Sequence, residues 1–238
     1  MALPMIEPYE MPTEAQRCPD QVRWRPEAFR AALLIHDMQQ YFVDAFPADQ
    51  APITDLVGNI ALLRETARSL GMPVIYTAQP GGMTPAQRGL LHDFWGPGMG
   101  VDADRQIIAP LAPAPEDVVL TKWRYSAFHG TTLANILYRY RCDQLVICGI
   151  YAHIGCLMTA CDAFTRDIET FLVADAVADF SLAHHVMGLD YAAQRCAVTA
   201  HTRVVVDFLR RSRESVERSA RRTRAFPRSD DLAERVLT

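Results

Sequence analysis

A chain of 238 residues, half of them hydrophobic and 22% charged, suits one α/β domain with a large core and leaves two full domains cramped. The net charge of −4 hides an asymmetry, because residues 209–238 hold nine Arg against five acids, about +4, leaving about −8 on the remainder. An acidic body of this kind repels phosphate and excludes a basic nucleic-acid surface, so no nucleic-acid partner is expected.

In chain order, residues 1–30 are proline-rich and polar, and are expected to form an arm packed on a catalytic domain spanning 31–208. Short apolar runs at 31–36, 73–77, 117–121, 144–149, 170–174 and in the neighbourhood of 203–206 predict six strands. They lack in/out alternation, as strands do when both faces of the sheet are covered. Helical spacing between them predicts helices over 54–70, 132–140, 156–166 and 183–195. The first has a candidate N-cap at Thr54 and a stop at Gly71, and the last a candidate cap at Ser181. Strand–helix alternation with connections of this length predicts right-handed crossovers and a doubly wound, mainly parallel six-stranded sheet with helices on both faces. Residues 109–115 read as a proline-rich linker into the third strand, and 209–238 as a basic tail, helical or disordered.

The six cysteines show no metal-type spacing, and most sit in apolar stretches where a thiol behaves as a small hydrophobe. The first sixteen residues combine three Glu with several prolines and do not read as a signal peptide. Reduced thiols without an export signal predict a cytoplasmic protein. Residues 144–161 carry no formal charge, but Gly149, His153 and Gly155 interrupt them. Strand, turn and helix start is the cheaper reading, and no membrane partner is expected.

Ligands of such a sheet bind beyond the carboxyl ends of its strands, near the switch in strand order. The residues there are His36 to Gln39, Ala78 to Pro80, Lys122 to Tyr125, Ile150 to His153, and Asp175. An isolated Asp37 would read as an Asx turn or helix cap. Lys122 at the matching place after the third strand makes it a charge-paired site residue, with a structural ion pair as the competing reading. His153 reads as a hydrogen-bonded turn histidine, and Tyr151, Tyr125 and Trp95 as packing residues unless the site recruits them. Cys156 lacks a base at readable spacing and reads as a buried structural thiol. The Gly- and Pro-containing loop 81–100 carries Arg88 and Trp95, and reads as a lid able to offer a guanidinium to a carboxylate, or as an ordinary surface excursion. GxGxxG, GxxxxGK[ST], HExxH and GxSxG are all missing, so nucleotide, zinc-protease and serine-esterase readings find no support.

The segments LLIHDMQQYF, YTAQPGGMTPAQRGLLHDFWGPGM, LTKWRYSAFHG, GIYAHIGCLMTACDAF and FLVADAVADFS resemble the isochorismatase family, in order over about residues 5–208. That resemblance implies a six-stranded parallel sheet and no cofactor or metal. In the wider superfamily of cysteine hydrolases the triad is Asp, Lys and Cys. Asp37 and Lys122 match the first two, and Gly155 falls at the position of the nucleophile. The resemblance therefore implies hydrolysis of the pyruvate enol ether of isochorismate or its 2-amino-2-deoxy analogue. Asp37 would be the proton donor, with Lys122 and Gly155 in the catalytic set. It further implies that Gln79, Arg88 and Tyr151 bind substrate, that Phe42, Trp95 and Tyr125 line the pocket, and that the chain forms a homodimer or larger homo-oligomer. Loop 81–100 leans toward the phenazine type over the siderophore type. Two alternatives stay open: an amidase using Cys156, and a non-catalytic scaffold of a biosynthetic assembly.

Overall fold

The computed structural model describes residues 3–100 and 105–225. Six strands form one sheet: β1 (Ala31–His36), β2 (Val74–Ala78), β3 (Val118–Thr121), β4 (Gln144–Ile150), β5 (Glu169–Ala178) and β6 (Val198–Ala200). Their order is β3-β2-β1-β4-β5-β6, and every pairing is parallel. The chain winds outward from β1 in one direction and from β4 in the other, so the switch point lies between these two strands.

Every residue of β1 and β4 is buried. Leu33 and Ile35 face one core layer, while Ala32 and Leu34 face the other. This explains the unbroken apolar runs: successive side chains alternate between two covered faces, and neither face needs polar residues. Helices α2 (Ile53–Ser69) and α8 (Thr202–Ala225) cover the first layer, and α5 (Leu133–Tyr140), α6 (Leu157–Phe164) and α7 (Leu182–Arg195) the second. Short helices α1 (Gln40–Val43), α3 (Pro85–Arg88) and α4 (Leu91–Trp95) lie beyond the strand ends. Residues 3–30 run along the surface of the domain. Ile6 N–H donates to the Ala45 carbonyl, the Arg17 guanidinium to Thr199, and Cys18 N–H to Asp190.

Three local expectations need correction. The sixth strand is Val198–Ala200, and residues 203–206 lie in α8. The β-branched run has strand propensity, yet Val205, Val206 and Leu209 are buried on one helical face. The fifth strand continues past 174, so Asp175 lies within β5 rather than on the rim. It is turned to α8, where its Oδ1 accepts from the Thr202 N–H and hydroxyl at 2.6 and 2.7 Å. Helix α2 begins after Pro52, and Thr54 is in its first turn rather than at its cap. Gly71 ends that helix at φ +72, and Ser181 caps α7 by accepting from the His184 N–H. Of the expected tail at 209–238, α8 carries the part to Ala225, and 226–238 lie outside the described residues. Among the described residues no helix is long and apolar enough to cross a membrane.

Candidate active site

The site begins with the end of β1. Asp37 adopts φ +48, a left-handed conformation that Asp tolerates better than most residues. Its N–H donates to the Thr77 carbonyl and hydroxyl on β2. The turn aims the carboxylate across the strand ends rather than into α1, whose N-cap is Gln39. Asp37 Oδ1 accepts from the Thr77 hydroxyl at 2.6 Å; Oδ2 accepts from Lys122 Nζ at 2.8 Å and from Gln79 Nε2 at 3.2 Å. Both charged residues are almost wholly buried, Asp37 at 4% exposure and Lys122 at 2%. Burial pushes the Asp37 carboxyl up, but the Lys122 ammonium and the hydrogen bonds outweigh it and hold the group below its ordinary value. The Asp37 carboxyl is therefore ionised near neutral pH.

Gln79, after β2, is itself held. The Gln39 side-chain amide accepts from the Gln79 N–H at 2.7 Å and donates to its carbonyl at 2.9 Å. Arg88 ends α3, a one-turn helix specified locally by its Thr84 cap, Pro85 at the first position and the Thr84–Gln87 capping box. Its Nε donates to the Gly96 carbonyl at 3.0 Å and its Nη1 to Gln79 Oε1 at 3.4 Å. Arg88 is 7% exposed and, among the described residues, has no carboxylate partner.

Beyond β4 the chain makes a single π-helical turn, Ala152–Cys156. The Tyr151 hydroxyl donates to the Phe42 carbonyl at 3.0 Å, and its ring stacks on Phe180 with centroids 4.2 Å apart. Phe180 in turn stacks on Trp95, whose indole N–H donates to the Tyr125 hydroxyl at 2.8 Å. The aromatic wall thus joins residues from five segments of the chain. All nine residues singled out from the sequence (Asp37, Phe42, Gln79, Arg88, Trp95, Lys122, Tyr125, Tyr151 and Gly155) line one pocket that combines apolar walls with a few convergent polar groups, as small-molecule sites do. Tyr151 contributes mainly its ring, since its hydroxyl proton is already committed.

Gly155 leaves room for a specific neighbour. A Cβ there would stand 2.2 Å from His36 Cε1, so the His36 ring fills the space a side chain would need. Burial pushes His36 down to about 4, so the ring is neutral. Its Nδ1 lies 2.9 Å from the Ile150 carbonyl, which accepts, so Nδ1 carries the proton. Cys156 is fully buried, does not line the pocket, and burial pushes its thiol well above the ordinary value. A protonated thiol turned into the core has neither access nor activation for nucleophilic attack. His153 is a hydrogen-bonded turn residue: its N–H and Nδ1 both engage the buried Asp179 carboxylate, at 2.6 and 2.7 Å.

Among the contributors to which sequence reasoning gave no role are His36 and Thr77, whose roles depend on neighbouring strands; Phe180, whose ring becomes part of the wall where β5 extends to Ala178; and Arg124, which also lines the pocket. Gln39 and Arg124 stood among the strand-end residues, and only three-dimensional contact distinguishes them from their neighbours.

An isochorismatase domain model matches residues 31–204. The chain is 52% identical over 224 residues to an isochorismatase of Bacillus subtilis, covering 94% of this chain and 72% of that protein. It is 49% identical over 205 residues to the phenazine biosynthesis protein PhzD of Pseudomonas fluorescens, covering 86% and 98%. Among solved structures, a cysteine hydrolase from Pseudomonas syringae pv. phaseolicola superposes with a TM-score of 0.72 at 25% identity, covering 82% of this chain and 99% of that one. With an Asp–Lys pair at the switch point and a glycine packed on histidine beside it, this chain belongs to the isochorismatase family.

Proposed function

We propose that the chain hydrolyses the enol-pyruvyl ether of isochorismate, or of its 2-amino-2-deoxy analogue, with Asp37 as the proton donor. The observation that carries this reading is the buried Asp37–Lys122 pair facing a pocket in which residue 155 has no side chain and Cys156 is turned away. Such a site can transfer a proton but cannot form a covalent acyl intermediate.

The chemistry requires only that transfer. Asp37 gives its proton to the terminal methylene carbon of the vinyl ether, and the electron pair of the double bond forms the new C–H bond. The ether oxygen stabilises the resulting oxocarbenium ion. Water adds to the cationic carbon and releases a proton, which restores the Asp37 carboxyl. The hemiketal then collapses by breaking its bond to the ring oxygen, giving pyruvate and the ring alcohol. The donor must be protonated at the start, whereas beside the Lys122 ammonium the Asp37 carboxyl is ionised. A substrate with two carboxylates repels the Asp37 charge and draws on the Lys122 ammonium, and both effects raise the carboxyl toward protonation. Substrate entry thus loads the acid. Gln79 and Arg88 would hold polar groups of the substrate, while Phe42, Trp95, Tyr125 and Tyr151 would enclose its ring.

Separate incubations with isochorismate and its 2-amino analogue test the reading, with pyruvate followed by lactate dehydrogenase. Release from either supports it and names the substrate; release from neither ends it. A cytoplasmic homo-oligomer belongs to the same proposal, and light scattering on the purified chain checks the assembly.

A further inference from the structure

The acid–cation balance of the pocket is uneven. Among its described lining residues Asp37 is the sole carboxylate, while Lys122, Arg88 and Arg124 are cations and His36 is neutral. One cation cancels Asp37, so among the described residues the wall carries two positive charges in excess. Neither guanidinium has a carboxylate partner among the described residues.

The loop between β2 and β3 is shaped around these two groups. A Cβ at Gly98 would stand 2.9 Å from Arg88 Cζ, and a Cβ at Gly89 would stand 2.9 Å from Arg124 Nη2. Both glycines have positive φ, +81 and +54, so each supplies a turn and a seat for one guanidinium. Among the described residues Arg124 is tethered through Nη1 alone, to the Gln87 carbonyl at 3.0 Å and the Trp123 carbonyl at 2.7 Å. Burial pushes the Arg88 guanidinium down from its ordinary value; Tyr41 and Tyr125 act against that push and the charge on Arg124 acts with it, so the two cations sense each other. Two like charges held on one wall cost free energy until an anion lies between or beside them.

We propose that Arg124 is a second anion anchor of this pocket, so that Arg88 and Arg124 each hold one carboxylate of a dicarboxylate substrate. This deepens the reading above and rests on it for the identity of the dianion. It assigns Arg124 a binding role in addition to its backbone contacts, and explains why the wall carries two uncompensated charges rather than one.

Calorimetric titration of the Asp37→Asn protein, the variant expected not to turn the ligand over, tests the assignment with isochorismate and each of its two monomethyl esters. Adding Arg124→Met is expected to weaken isochorismate about 10- to 100-fold, the range for losing a charge-assisted hydrogen bond. The same change should weaken one monoester similarly and leave the other within about threefold. Arg124→Lys, which keeps the charge, should recover most of the loss. Equal weakening of all three ligands, or of none, overturns the proposal, because a merely structural tether would not tell one carboxylate from the other. Failure of the otherwise unaltered enzyme to release pyruvate would end the proposed reaction alone, since the titration still decides Arg124.

Discussion

Lys122 keeps the Asp37 charge in place, and removing it should show how strongly the two are coupled. Truncating one partner of a buried ion pair leaves the other uncompensated, at a cost of about 3–5 kcal/mol. The pH dependence carries the sign. In the native protein the Asp37 carboxyl lies below its unfolded value of 3.8, so its contribution is present above that pH and lost as pH falls through the folded value. In Lys122→Met burial, the largest influence on the carboxyl, is opposed by His36 and the Thr77 and Gln79 hydrogen bonds but no longer by the ammonium. The carboxyl should then rise above its unfolded value, and stability should instead decline as pH rises above about 4. Urea unfolding of both proteins from pH 4 to 8 checks this; parallel profiles would refute the coupling.

His36 and Gly155 form a second residue-scale pair. Gly155→Ala forces a methyl into the His36 ring and should cost about 1–3 kcal/mol. Combining it with His36→Ala should return part of that loss, because the two changes share one space. Additive losses in a double-mutant cycle would mean that the ring moves aside freely. The same contact shows why a cysteine at 155 does not by itself convert this site to covalent chemistry: the ring at position 36 must first leave.

At the scale of elements, the strands and helices were readable because burial on both sheet faces writes itself as uninterrupted apolar runs. Helix α2 declared itself through Leu56, Ile60, Leu63 and Ala67 on one buried face and Gly71 at its end. The run at 203–206 misled for a physical reason: Val204 to Val206 favour a strand locally, but Asp175 on β5 anchors the start of α8 and the buried side of that helix accepts Val205 and Val206. Such a contact across 27 residues leaves no local trace. Asp175→Ala should therefore loosen the beginning of α8 at a cost of about 1–3 kcal/mol. Hydrogen exchange measured by mass spectrometry should show faster exchange at 202–206 with little change in the pocket; unchanged exchange would remove Asp175 from that role.

At the scale of the whole molecule, the strand order explains why residues distant in sequence meet. Because the sheet winds outward from the β1–β4 junction, the ends of β1, β2, β3 and β4 converge, and Asp37, Gln79, Lys122 and Tyr151 reach one crevice. Strand ends could be named from the sequence, so the polar members of the site were legible. Their hydrogen-bond pattern, the neutral His36 ring and the second guanidinium were not, since each depends on distances between segments. Nine of the pocket's lining residues were legible as members, and the pocket's geometry came only with the fold.

The account turns on Asp37 as the proton donor. The decisive measurement is kcat for pyruvate release by Asp37→Asn at saturating substrate, with a melting curve to verify the fold. Loss of a general acid predicts a fall of about 10²–10⁴-fold in kcat. A folded Asp37→Asn protein that retains kcat within a few-fold would contradict it.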